Sequence, residues 1–232
     1  MKVEYSIPED WSEIKYIDYI KFYQSVKPYE NTEEYVEKCL ERAAYYFCGI
    51  DSDVYKQLPV ENFSEISQQI LNLIESSKNH KLIQSFNLLD VDYGFIPSLD
   101  DMTYGEYVDL ITYSKETWEN MPLLMSILYR PISDKSKDKY KIQPYNGTVD
   151  SQVELFKSKM TMDIVFGALS FFLRLQLDLL NATLTYSMEN LTKKTDEQTS
   201  QAHQILAKNG LSMQHLQRLQ TTMLETLTPS QD

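Results

Sequence analysis

The chain has 232 residues, a formal net charge of −12 at pH 7 and an isoelectric point near 4.7. Its hydrophobic content of 42% is sufficient for a folded core, which excludes a protein that is disordered throughout. The excess of acidic side chains disfavours a nucleic-acid-binding surface, because phosphate recognition requires clustered Lys and Arg, and we expect no nucleic-acid partner.

The first third of the chain predicts a short strand followed by three helices. The strand is predicted at Val3–Ile7. Helical periodicity and start and stop signals predict helices over Trp11–Val26, Thr32–Phe47 and Val60–Glu75. Gly49 is the expected C-terminal cap of the second helix. One apolar stripe of the third helix is formed by Phe63, Ile66, Ile70 and Leu73.

The two cysteines, Cys39 and Cys48, fall on the second predicted helix. Nine residues of helix turn through about 900° and rise by about 13.5 Å, so the thiols point to opposite faces and lie too far apart for a disulfide. We therefore expect two free thiols that behave as small apolar groups in a reducing compartment.

The middle of the chain predicts two β-hairpins and a capped helix. Alternating apolar residues around a central turn predict the first hairpin over Ser85–Ile96. Thr103 and Glu106 form a capping-box pattern, which predicts a helix start. Tyr129–Ile132 and Tyr140–Tyr145 flank a charged loop and predict the second hairpin.

Three further helices follow from the apolar pattern, over Met121–Leu128, Val153–Met160 and Thr161–Tyr186. The last of these is the most apolar part of the chain and is the expected central helix. Its apolar run, Ile164–Leu173, is too short to span a bilayer and is bracketed by charged residues. We therefore expect a core helix and no membrane partner.

The composition changes after Ser187, where Gln, Thr, Ser and Lys dominate and aromatic residues cease. Two polar helices are predicted, separated at Asn209-Gly210. The second carries one thin apolar stripe, formed by Leu216, Leu219, Met223 and Leu227. Because this stripe is too thin for a core and too regular for disorder, we expect it to bind a partner; the alternative is that it folds back onto its own domain.

Two sequence blocks recur in the same order and indicate a duplicated helical module. Residues 14–22 share their spacing of apolar, Tyr and acidic residues with residues 102–110, and the apolar pattern after residue 58 returns after residue 160. The alternative is chance similarity between Tyr-rich amphipathic helices.

The predicted fold is therefore mainly α with small β-hairpins. A first helical module covers residues 1–80. A second, over residues 81–186, contains the hairpins and the central helix and shares one core with the first. A polar helical extension covers residues 187–232.

Residues with catalytic or metal-binding chemistry are few and scattered. The three histidines are His80, His203 and His215, and none lies near a cysteine or another histidine in sequence. Adjacent acids occur at the predicted helix starts, where capping accounts for them: Glu9-Asp10, Glu33-Glu34 and Asp100-Asp101. Arg130 is a lone cation in an apolar stretch and is expected to pair with Asp163 or Asp109. We expect no catalytic residue, no cofactor, no metal site and no enzymatic activity.

Three segments carry a family resemblance: Phe95–Leu110, Leu128–Ile132 and Met162–Phe172. The first contains a loop, Thr103, Gly105-Glu106 and an apolar Leu110, and it is similar to a helix start in tail assembly chaperones of tailed bacteriophages, as seen in phages of Bacteroides-like hosts. The resemblance covers roughly residues 1–186 and not the polar extension.

The resemblance implies a non-enzymatic protein in the host cytoplasm that transiently coats an aggregation-prone helical client, the tape-measure protein, until tail tube subunits polymerise around it. The alternative is a permanent virion component: a connector-ring, tail-completion or internal cargo protein that binds tail or connector subunits, or copies of itself as a homo-oligomer. A small-molecule or metal-dependent enzyme using the acid pairs ranks last.

Overall fold

The predicted combination of helices and antiparallel strands is confirmed. A computed structural model describes residues 5–77, 80–99, 102–137 and 139–172 of the chain. Within these ranges the fold is α+β, with eight α-helices and one four-stranded antiparallel sheet. Among the described residues, no helix has the length and apolarity that a bilayer crossing requires.

Four helices precede the sheet and four accompany or follow it. The first four are α1 (Tyr16–Val26), α2 (Tyr35–Cys48), α3 (Ser52–Lys56) and α4 (Val60–Ser76). The others are α5 (Tyr104–Tyr113), α6 (Met121–Leu128), α7 (Asp150–Lys159) and α8, described over residues 162–172. The predicted caps are in place, because Gly49 ends α2 in the left-handed region at φ 69° and Thr103 opens α5 with a complete capping box.

The two predicted hairpins form a single sheet. The first consists of β1 (Ser85–Leu88) and β2 (Val91–Phe95), and the second of β3 (Tyr129–Ser136) and β4 (Lys139–Ile142). The hairpins join through antiparallel pairing of β2 with β3, giving the order β1-β2-β3-β4. Most of the segment expected to be a charged loop is strand, because β3 continues to Ser136.

Aromatic side chains from distant parts of the sequence form the centre of the core. Trp11, Trp118 and Phe166 are each at most 1% exposed, and the ring centroids of Trp11 and Phe166 are 4.8 Å apart. Tyr19 lies between them, 5.0 Å from Trp118 and 5.6 Å from Phe166. Because one hydrophobic cluster contains residues from both proposed modules, α1 and α8 share a core.

The N-terminal segment differs from the prediction. Helix α1 begins at Tyr16 and not at Trp11, since residues 11–15 have turn and bridge geometry. Tertiary contacts account for this: Trp11 Nε1 donates to Leu73 O at 2.8 Å, and Lys15 forms an isolated bridge with Thr161. The strand predicted at residues 3–7 is wrong for residues 5–7, which have no strand structure, and its first residues lie outside the described ranges.

The two copies of the proposed repeat occupy different environments. In the first, Tyr16 and Tyr19 are buried, whereas their counterparts Tyr104 and Tyr107 are 81% and 37% exposed. The duplication therefore stays a prediction from sequence spacing, and the matched tyrosines serve different purposes. The polar extension over residues 187–232 lies outside the described residues.

Candidate functional site

Few of the described residues are placed for metal binding or for acid–base catalysis. These contain no group of three or more His, Cys, Asp or Glu side chains that could hold a metal ion. His80 stacks on Phe166 with centroids 5.8 Å apart, and burial lowers its imidazole pKa although Asp163 and Asp10 act to raise it. His80 is thus a neutral packing residue at pH 7. His203 and His215 lie outside the described residues.

Both cysteines are free, as expected. Cys48 is buried and Cys39 half-buried, and burial raises the pKa of each thiol to about 11. The thiols are therefore protonated at neutral pH and are weak nucleophiles.

The adjacent acids behave only partly as expected. Asp10 accepts a hydrogen bond from the backbone N–H of Ser12 at 2.7 Å, and hydrogen bonding to Ser12 lowers the Asp10 pKa. Glu34 occupies the N-cap position of α2 but its side chain makes no capping hydrogen bond, which leaves only an interaction with the helix dipole. Asp100-Asp101 lies outside the described residues.

Arg130 pairs with Glu106, which was not among the partners expected from the sequence. Arg130 Nη2 lies 2.7 Å from Glu106 Oε1, and Glu106 is 2% exposed. The second oxygen, Oε2, accepts the backbone N–H of Thr103 at 2.6 Å and so completes the capping box. Glu106 therefore caps α5 and also fastens that helix to β3.

The prediction that Arg130 pairs with Asp109 or Asp163 is wrong. Each of these carboxylates accepts a hydrogen bond from another residue. Asp109 accepts a hydrogen bond from the Tyr145 hydroxyl, and Asp163 accepts one from the hydroxyl of Thr161, both at 2.5 Å. The Tyr145 ring lies beneath the Arg130 guanidinium at 5.7 Å. Burial, followed by the hydrogen bond to Asp109, raises the Tyr145 pKa. The network therefore connects α5, β3 and the segment that contains Tyr145.

A cleft of about 380 Å³ lies beside the second hairpin. Its walls include Phe95, Tyr140 and Phe171. The Tyr140 hydroxyl lies 2.8 Å from Phe95 O and 2.9 Å from Gln84 O and can donate to either. The Tyr140 hydroxyl therefore binds main-chain carbonyl groups. Among the described residues that line this cleft, Lys139 is the only charged one.

The second cleft, of about 310 Å³, opens between α2, α3 and the start of α4. Both oxygens of its buried Glu41 are taken, Oε2 by Lys38 Nζ at 3.2 Å and Oε1 by Lys56 Nζ at 3.4 Å. Burial acts to raise the Glu41 pKa, but the hydrogen bonds and charges of the two lysines outweigh it and lower the pKa. Glu37 lines the same cleft, and among the described residues it forms no ion pair.

Helix α4 carries three exposed apolar side chains, two of which line this cleft. Val60 is 84% exposed, Phe63 40% and Leu71 42%. Leu71 is separated from the other two by Ser67, which is buried and hydrogen-bonded to the Tyr55 hydroxyl. We call Val60 and Phe63, together with the cleft that they line, the α4 surface.

The predicted α4 stripe is therefore correct in three positions out of four. Ile66, Ile70 and Leu73 are buried, whereas Phe63 is half-exposed and packs on Tyr55 with centroids 5.2 Å apart. Sequence reasoning missed the α4 surface, although the apolar sector of this helix is visibly wider than one buried stripe.

The stretch of chain that forms α2, α3 and α4 is acidic in sequence. Residues 30–77, which contain α2, α3 and α4, carry ten acidic side chains and three basic ones. This stretch therefore supplies a net charge of −7 out of the total of −12.

The partner-binding stripe expected from the sequence lies outside the described residues; it consists of Leu216, Leu219, Met223 and Leu227. No protein-family model, curated protein or solved structure matches the chain.

Proposed function

We propose that this chain is a non-enzymatic bacteriophage morphogenesis protein of the tail-assembly-chaperone kind, which holds an aggregation-prone helical client in the host cytoplasm. The observation that carries the proposal is the α4 surface, where two exposed apolar side chains line an open cleft in a stretch of chain with a net charge of −7. Exposed apolar side chains can cover the apolar face of a client helix, and the surplus negative charge keeps the loaded complex soluble.

The segments that carry the family resemblance support this proposal as parts of one structural unit. Ile96 N–H donates to Leu128 O at 2.9 Å, and Glu106 pairs with Arg130. The first two segments thus meet around β2, β3 and α5. The third segment is α8, whose Phe171 ring centroid lies 5.4 Å from that of Phe95.

Quantitative mass spectrometry of purified phage particles and of infected-cell lysate tests the proposal. A chaperone is abundant in the lysate and absent from finished particles. A fixed integer copy number in the particles would contradict the proposal and assign the chain to the virion as a connector-ring, tail-completion or internal cargo protein.

A further inference from the structure

We propose that the exposed face of α5 binds the apolar stripe of the chain's own C-terminal extension, within the same molecule. This α5 face consists of four side chains at positions i, i+3, i+4 and i+7 of the helix: Tyr104, Tyr107, Val108 and Ile111. The stripe lies outside the described residues and consists of Leu216, Leu219, Met223 and Leu227. The inference goes beyond the proposed function and does not depend on it.

The α5 face is continuous and open to solvent. Tyr104 is 81% exposed, Tyr107 37% and Val108 39%, and Ile111 is half-buried. At 100° per residue the four positions fall within about 100° of one another around the helix, and no other residue of α5 lies between them. Tyrosine offers a large apolar ring together with a hydroxyl, which is typical of the centre of a binding surface.

The α5 face carries no charge, although the chain as a whole has a net charge of −12. The charged residues of this helix are Glu106 and Asp109, which lie about 200° and 140° around the helix from Tyr104. Glu106 pairs with Arg130, and Asp109 accepts a hydrogen bond from Tyr145. The α5 face therefore favours a partner surface that is apolar and uncharged.

The stripe of the extension has this character in its sequence. Residues 212–228 contain one basic and one acidic side chain, Arg218 and Glu225, besides His215. In the predicted helix both charges lie about 140° or more from the middle of the stripe, so they point away from whatever the stripe contacts. The stripe is eleven positions long, about 16 Å, and the α5 face seven, about 10 Å, so the stripe can cover the whole face.

The connecting chain is long enough for the stripe to reach α5. Residues 173–210 join the described part of the chain to the predicted second helix of the extension. These 38 residues span about 35 Å as a flexible chain and about 55 Å as a helix, so any face of a domain of this size is within reach.

The area of the α5 face favours a tethered partner over a second copy of the chain. The four side chains expose roughly 350 Å² together, since a whole aromatic side chain offers 150–250 Å². A stable interface between separate molecules buries about 800 Å² on each partner. A segment of the same chain binds through a smaller area, because its tether keeps it at a millimolar effective concentration.

Hydroxyl-radical footprinting of the purified full chain, read out by mass spectrometry, tests whether the stripe covers the α5 face. Leu219→Asp places a charge in the stripe, and we expect it to speed the oxidation of Tyr104 and Tyr107 at least about threefold relative to the wild type. Thr221→Asp is the matched control, because it adds the same charge on the opposite side of the predicted helix and leaves the oxidation rates unchanged. Tyr45 on α2, 45% exposed, is the internal reference.

The reciprocal experiment changes α5 and follows amide hydrogen exchange in residues 212–228. The double variant Tyr104→Ser/Tyr107→Ser removes the two rings from exposed positions and leaves the core intact. We expect it to accelerate exchange in these residues at least about fivefold. Leu89→Ser is the matched control, because Leu89 is 68% exposed in the β1–β2 turn and its replacement leaves the exchange unchanged.

Three results would overturn the proposal. Equal oxidation of Tyr104 and Tyr107 in the wild type and in Leu219→Asp would show that the stripe does not cover the α5 face. Equal exchange of residues 212–228 in the wild type and in the α5 double variant would place the stripe elsewhere. Protection of Tyr104 that disappears on dilution, together with a dimer in light scattering, would identify a second copy of the chain as the occupant; we expect protection that is independent of concentration.

Discussion

Breaking the ion pair between Arg130 and Glu106 tests how α5 is fastened to β3. The side chains are 11% and 2% exposed, and among the described residues Arg130 Nε has no hydrogen-bond partner. The Glu106 carboxylate is therefore the main compensation for a buried positive charge. Removing one partner of a buried ion pair costs about 3–5 kcal/mol. That is a large part of the roughly 5–15 kcal/mol by which a domain is stable.

A double-mutant cycle separates this pairing from general damage. Glu106→Gln keeps the side-chain volume and an oxygen that can accept the Thr103 N–H. We therefore expect it to lower the free energy of unfolding by about 3 kcal/mol. Arg130→Met leaves the carboxylate buried and costs about 3–5 kcal/mol. The double variant buries neither charge, and we expect it to lose only about 1–2 kcal/mol, far less than the two single losses combined.

Urea unfolding followed by circular dichroism measures these free energies. Asp109→Asn is the matched control, because it neutralises another carboxylate on α5 that accepts a hydrogen bond from Tyr145 and that an amide oxygen can replace. We expect it to cost less than about 1 kcal/mol. Additive single-variant costs, or a cost for Asp109→Asn equal to that of Glu106→Gln, would refute the assignment of Glu106 as the partner.

Two further predictions concern helical glycines and buried tyrosines. A Cβ at Gly167 would lie 2.6 Å from the backbone oxygen of Lys81, so Gly167→Ala is expected to cost about 1–3 kcal/mol in the free energy of unfolding. Gly105, also helical, has only one atom within 4.0 Å of such a Cβ, so Gly105→Ala is the control and should stabilise by up to about 1 kcal/mol; the opposite order in thermal melts would contradict the close approach. Burial raises the pKa of Tyr19 and Tyr129 above the ordinary value of 10.0, so the folded state keeps them neutral while the unfolded chain ionises. Stability is then fully present below about pH 10 and falls as the pH rises further, by about 1.4 kcal/mol per pH unit for each tyrosine; urea midpoints that stay constant from about pH 9 to about pH 11 would contradict this.

Features set by neighbouring residues could be predicted from the sequence. The hairpin over Ser85–Ile96 and the end of α2 at Gly49 are in place because turn residues and a left-handed glycine act locally. The capping box of Thr103 and Glu106 is satisfied for the same reason. Each of these signals lies within a few residues of the structure that it specifies.

Features set by distant residues could not be predicted in this way. Nothing near β2 indicates that Gly94 pairs with Arg130, which joins the two hairpins into one sheet. The late start of α1 depends on Trp11 reaching Leu73 O, sixty-two positions away. Two carboxylates of α5, Glu106 and Asp109, were possible partners of Arg130. The structure pairs Arg130 with Glu106, while Asp109 accepts a hydrogen bond from Tyr145.

The α4 surface shows the same division between local and distant information. Periodicity placed Phe63 on a helical stripe, but only the packing of α2 and α3 against α4 decides that Phe63 is half-exposed while Ile66 is buried. The acidic character of residues 30–77 is visible in the sequence, whereas the exposure of Val60 and Phe63 is visible only in the structure. The candidate site therefore becomes apparent only when charge and exposure are considered together.

The most direct test of the central claim is whether the α4 surface keeps the client soluble. Under the proposed function the client is a phage tape-measure protein, which would be co-expressed with the wild-type chain, with a Val60→Ser/Phe63→Ser double variant, or with the Leu89→Ser control. We expect the client in the soluble fraction with the wild type and with the control, and in the pellet with the double variant. Equal solubility of the client in all three cases, or in the absence of the chain, would contradict the account.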